Sequence, residues 1–123
     1  MLNAPQRYGR DREDLAEKYL RRNGYKIITR NFRTPYGEID IVARHKKAIV
    51  FIEVKARRSE RYGPPQEAVT EAKQRKLSMA ALVYLKQYHT VDTQARFDVV
   101  TIVDSRTPPR IEVIADAFEL AYL

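Results

Sequence analysis

Two short stretches carry side chains able to do chemistry. In residues 48–58 a strand-like apolar run contains Glu53 and Lys55, separated only by Val54. In residues 37–42 Glu38 and Asp40 are likewise two apart, among Ile39, Ile41 and Val42. Strand side chains alternate between faces, so each pair lies on one face. The polar stretch 44–47 predicts a hairpin between them. Any register whose paired numbers sum to an odd value, such as Ala43 opposite Ala48, puts Glu38, Asp40, Glu53 and Lys55 on a common face. Opposed and diagonal neighbours then lie about 5–8 Å apart. Carboxylates so close repel one another and lose hydration, and one ammonium does not balance three of them. A divalent cation does. Oxygen donors without Cys or His point to Mg²⁺ or Mn²⁺ rather than Zn²⁺. Such an ion activates water and stabilises charge on a phosphoryl group. Lys55 would orient or help deprotonate the water, or stabilise the transition state. The competing reading is an edge strand with a solvated Glu–Lys pair.

The elements that must position these groups follow from periodicity. Leu15, Ala16, Tyr19 and Leu20 predict a helix over 10–23, stopped by Gly24. Glu13 lies about 20° from Leu20 on a helical wheel, where an apolar residue is expected, so it is a further candidate ligand. Strands are predicted over 25–32, 38–43 and 48–57. A loop over 59–66 contains Gly63-Pro64-Pro65, and a helix over 70–88 has Thr70 as its cap. Two more strands are predicted over 96–103 and 110–115, and a short helix over 116–123. The order αβββαββ predicts an α/β domain, one mixed sheet flanked by helices.

The chain has 123 residues, no cysteine and a net charge of +7. That length suits one domain spanning 1–123. The absence of cysteine excludes a disulfide framework and thiolate metal sites. No apolar run approaches a membrane span and no signal-peptide pattern opens the chain, so a cytoplasmic protein is expected. The charge is one-sided. Residues 1–62 hold 16 Lys and Arg against 8 Asp and Glu, and residues 63–123 hold 7 against 8. A basic half favours a polyanion, through release of counterions, over a merely solubilising surface.

An acid on the first helix, Asp on the second strand and Glu-x-Lys on the third form the pattern of the PD-(D/E)XK nuclease superfamily. More narrowly, GRDREDLAEKYLRRNGY (9–25), RNFRTPYGEIDIVARHKKAIVFIEVKARR (30–58), EAVTEAKQRKL (67–77) and RFDVV (96–100) resemble the YraN-like family of small bacterial proteins. That family is similar to archaeal Holliday-junction resolvases. The resemblance spans nearly the whole chain. It implies a restriction-endonuclease-like αβββαβ core, with Asp40 and Glu53 as metal ligands, Lys55 as the catalytic lysine and Glu13 as the helix-one acid. Glu38 belongs to the narrower motif. Ile39 stands where the superfamily's name has proline, which removes no ligand.

Arg57, Arg58 and Arg61 follow the lysine, and Lys73, Gln74 and Lys76 open the second long helix. Both groups are candidates to hold nucleic-acid phosphates, with a solvated surface as the alternative. Tyr8, Tyr36 and Tyr62 are candidates for stacking on bases or for ordinary packing. Asp98 reads as structural, paired with Arg96 or a lysine. The expected function is a Mg²⁺- or Mn²⁺-dependent endonuclease acting on DNA, including branched or otherwise structured DNA. A homodimer is expected if two strands are cut symmetrically. The alternatives are a non-catalytic nucleic-acid-binding module that retains the fold, and an adaptor for an acidic protein.

Overall fold

Two helical stop and start signals frame the sheet. The computed structural model describes residues 2–58, 69–88, 93–105 and 107–119. Helix α1 (Ala4–Arg22) begins with a capping box, in which the Asn3 side chain accepts from the Gln6 backbone and Gln6 reaches back to the Asn3 backbone. It ends at Gly24, whose φ of 87° suits a residue without Cβ. There the Gly24 N–H donates to Arg21 and the Tyr25 N–H to Leu20, closing the last turn and joining Tyr25 to Leu20 in the core. The helix therefore starts six residues before the expected Arg10. Capping supplies the missing signal, since residues 4–12 carry no apolar stripe.

The strands are β1 (Lys26–Thr34), β2 (Gly37–His45), β3 (Ala48–Arg57), β4 (Ala95–Val103) and β5 (Arg110–Phe118). Helix α2 (Glu71–Gln87) is capped by the Thr70 hydroxyl, which accepts from the Lys73 N–H, and carries the chain from β3 to β4. The strands form one five-stranded sheet in sequence order. β3 and β4 are parallel and the other pairings antiparallel, so the sheet is mixed, as expected. Because β3 is bonded on both sides it lies inside the sheet, which rules out the solvated-edge reading of Glu53 and Lys55. The expected terminal helix over 116–123 is not formed at its start. Residues 116–118 extend β5 beyond a bulge, with Asp116 at φ 53°, and 120–123 lie outside the described residues.

Each face of the sheet has its own core. Ala16 and Leu20 of α1 pack with Tyr25, Ile41, Val50, Ile52, Val100 and Ile102 on one face. Leu77, Ala80, Ala81, Tyr84 and Leu85 of α2 pack with Ile39, Val42, Phe51, Phe97 and Val99 on the other. Fully burying each Val, Leu, Ile or Phe among them contributes roughly 1.5–3 kcal/mol. Among the described residues no helix is long and apolar enough to cross a membrane. The order α1-β1-β2-β3-α2-β4 with this mixed sheet is a restriction-endonuclease-like core, and β5 adds an edge strand to it.

Candidate functional site

The hairpin register is His45 opposite Ala48 and Ile41 opposite Ile52, an odd sum. The register thus has the odd sum that the sequence predicts, offset by two from the Ala43–Ala48 example. The ladder stops at Ile41–Ile52. Beyond it the alternation of β2 breaks, because Ile39 packs on the α2 side and Ile41 on the α1 side. Asp40, between them, turns its carboxylate toward β3, where Oδ2 accepts from the Val54 N–H at 2.8 Å. A side chain thus satisfies a backbone donor that a continued ladder would have bonded to β2.

Glu53 is the next residue along β3 and is only 6 % exposed. Its Oε1 faces two ammonium groups, Lys73 Nζ from α2 at 3.5 Å and Lys55 Nζ at 3.8 Å. Its Oε2 is buried with no hydrogen-bond partner among the described residues. Burial, and then the Asp40 charge, push the Glu53 carboxyl up to about 7, against the pull of both lysines. Asp40 is raised by burial as well, and by the Glu38 charge, with the Val54 N–H, Lys73 and the neighbouring Glu53 carboxyl opposing. Two carboxyls thus resist ionising side by side, and one of them keeps an open oxygen.

Glu13 stands at the margin of this centre. Burial and then Asp40 raise its carboxyl, while Arg30 opposes them. Arg30 lies 3.5 Å from Glu13, 2.6 Å from Asp14 and 3.7 Å from Glu17, tying α1 to β1. With its amide nitrogen turned to the acids, Asn31 donates to Glu13 Oε1 at 3.1 Å and to Glu38 Oε1 at 2.8 Å. Asn31 has φ 55°, a left-handed conformation that asparagine tolerates better than most residues. Glu38 is half exposed and 3.5 Å from Arg33 Nε. The structure thus brings Asp40, Glu53 and Lys55 together, and holds Glu13 at the edge beside Glu38. Among the described residues no group of three His, Cys, Asp or Glu side chains stands ready to chelate an ion. The expected convergence of Glu38 with Asp40 and Glu53 is corrected to this extent, because Asn31 and Arg33 draw Glu38 aside.

The candidate phosphate-binding residues divide. Lys73 faces the centre, whereas the Gln74 side chain donates to the Val69 carbonyl at 3.0 Å. Lys76 is exposed. Arg58 lies over the Tyr8 ring at 5.0 Å, and Tyr8 donates to Asp104 at 2.6 Å, so Tyr8 ties α1 to the end of β4. Arg57 follows on β3, its carbonyl accepting from the Asp104 N–H at 2.8 Å. Tyr36 is half exposed. Arg61, Tyr62 and the Gly63-Pro64-Pro65 loop lie outside the described residues. Two features were not foreseen: the contact of Lys73 with Glu53 and the amide bridge from Asn31. Both join elements distant in sequence, and only the helical spacing of Lys73 from buried Leu77 hints at the first.

A restriction-endonuclease-like domain with acids and a lysine on its second and third strands is a defined class of protein. Within it, the chain belongs to the uncharacterised protein family UPF0102, whose family model matches residues 12–102. A UPF0102 protein of Geobacter metallireducens is 58% identical over 110 residues, covering 89% of this chain and 90% of its own. One from Desulfosudis oleivorans is 51% identical over 119 residues, covering 97% and 95%. One from Geobacter sulfurreducens is 57% identical over 111 residues, covering 89% and 87%.

Proposed function

We propose that the protein is a metal-dependent endonuclease hydrolysing phosphodiester bonds of DNA, with branched or otherwise structured DNA as candidate substrates. The observation that carries this reading is Glu53: a buried carboxylate with an unpartnered oxygen, one strand away from Asp40. A native fold seldom leaves such an atom unsatisfied without a reason. The oxygen-only donor set fits a hard divalent cation, Mg²⁺ or Mn²⁺. When bound, the ion would supply a water of lowered pKa and neutralise charge on the phosphoryl group.

The chain's own residues do the rest. Asp40 and Glu53 would hold the ion, and the Val54 N–H fixes the direction of the Asp40 carboxylate. Glu13, oriented by Arg30 and Asn31, would add a ligand directly or through water. Lys55, beside Glu53, would orient the attacking water and stabilise negative charge on the phosphoryl oxygens. Lys73 would exchange its contact with Glu53 for a phosphate oxygen. Arg57, Arg58, Arg61, Lys76 and, less directly, Gln74 would hold the backbone.

A second reading has its own support. Lys55 and Lys73 already offset the charge of Glu53, as a non-catalytic nucleic-acid-binding module would require. A panel of duplex, forked and four-way DNA incubated with Mn²⁺ separates the two. The first reading predicts cleavage that Lys55→Ala abolishes while binding persists. Salt-sensitive binding by the wild type with no cleavage in Mg²⁺ or Mn²⁺ would sink it in favour of the second.

A further inference from the structure

The first half of α1 contains a glycine that this chain does not itself need. Leu20 and Ala16, both fully buried, lie on the stripe of α1 that faces the sheet, and Glu13 continues it. The next position at helical spacing is Gly9. Glycine inside a helix is less favourable than alanine because its backbone loses more freedom on folding. The usual reasons for accepting that cost are absent. Gly9 is not in a left-handed conformation, unlike Gly24 and Gly37. A Cβ built on it would meet nothing within 4 Å among the described residues. Neither backbone geometry nor internal packing calls for glycine here, whereas close approach of an outside body to the helix backbone does.

What lies around Gly9 indicates the body. Gly9 lines an open depression of about 580 Å³ between α1 and β1, with Gln6 and Arg10 on one wall and Arg30, Asn31 and Arg33 on the other. Glu13 and Asp14 line it as well, both paired with Arg30, so it adjoins the acids described above. Arg30 is occupied by Asp14, Glu13 and Glu17. Arg10 and Arg33 are exposed, and Arg33 has 84% of its side-chain surface in solvent with Glu38 at 3.5 Å. A cleft with arginines on both rims, helix backbone bared at Gly9 and carboxylates at one end suits a chain of phosphates with a thin profile.

We infer that one strand of a nucleic acid crosses α1 at Gly9, its sugar–phosphate backbone lying in the α1–β1 depression with phosphates on Arg10 and Arg33. The inference rests on the reading of the centre as one that takes nucleic acid, and extends the interface to a side of the molecule away from α2.

Fluorescence anisotropy with a labelled forked DNA, alongside thermal melts, tests it. Gly9→Ala should raise the melting temperature by about 3 °C, because helix propensity improves and nothing is crowded. Gly9→Gln should melt no lower than the wild type yet bind at least tenfold more weakly. Arg10→Gln with Arg33→Gln should flatten the salt dependence of binding by about two phosphate contacts. Gly9→Gln binding within twofold of the wild type overturns the inference, as does a Gly9→Ala variant that melts lower. Poly-glutamate competing as well as DNA also overturns it, in favour of an acidic protein partner. A wild type that binds DNA but never cleaves it in Mn²⁺ defeats the hydrolytic reading alone, and Gly9→Gln still decides the groove. A wild type that does not bind DNA defeats both.

Discussion

Two buried carboxylates sit one step apart across the β3–β4 ladder and on opposite faces of the sheet. Asp98, paired with Ile52, is fully buried on the α1 side, and Glu53, beside Val99, is buried on the α2 side. Their surroundings differ in kind. Asp98 accepts from the Tyr25 hydroxyl at 2.6 Å, from Arg96 at 3.0 and 3.1 Å, and from the Asp116 N–H at 2.9 Å. His45 stacks on Tyr25, and its Nδ1 accepts from Arg96 at 2.6 Å. Every lone pair has a use, and the network pins the β5 bulge at Asp116. Glu53 has two half-exposed lysines on one oxygen and nothing on the other. Burial alone therefore does not mark a functional acid. Completeness of its partners separates an acid that holds the fold from one set aside for a ligand.

The largest test of this contrast is Asp98→Ala. Removing one member of a buried, hydrogen-bonded ion pair should cost about 3–5 kcal/mol, read by urea unfolding. Glu53→Gln should do the reverse and stabilise the metal-free protein at pH 8, by roughly 2–3 kcal/mol. Equal losses in the two variants would erase the distinction.

The pH dependence sharpens it. The Glu53 carboxyl is raised from its ordinary 4.5 to about 7, so the folded state binds that proton more tightly than the unfolded chain does. Its penalty is absent below about pH 4.5, grows as pH rises, and is complete above about 7. The gain from Glu53→Gln should accordingly vanish near pH 4 and be full at pH 8. A gain independent of pH would show that packing, not charge, is responsible. The smallest effect is Tyr25→Phe, which takes one donor from Asp98 and should cost about 1–2 kcal/mol. A cost near zero would mean that the Asp98 network is less complete than its geometry indicates.

The two regions also differ in how far the sequence discloses them. Strand spacing alone puts Glu53 and Lys55 on one face with Asp40 on the neighbouring strand, and an error of two in register does not disturb that. It also marks β3 and the Thr70 cap of α2. Asp98 was legible as structural and Arg96 as its partner, whereas Tyr25 and the Asp116 N–H come from elements remote in sequence. What a regular strand could not show is the broken alternation between Ile39 and Ile41, which swings Asp40 into the sheet plane and leaves Glu38 with Asn31 and Arg33. The early start of α1 was written in Asn3 and Gln6 but obscured by Gly9 and the lack of an apolar stripe. A short terminal helix was expected over 116–123. The bulge at Asp116, held by Asp98, lets the strand continue instead.

The most direct measurement is calorimetric titration of Mn²⁺ at pH 8 into the wild type, Asp40→Asn and Glu53→Gln. The account predicts saturable binding by the wild type that either substitution removes. A wild type that takes up no Mn²⁺, or variants that bind it as tightly, would contradict the assignment of these two carboxylates to an ion.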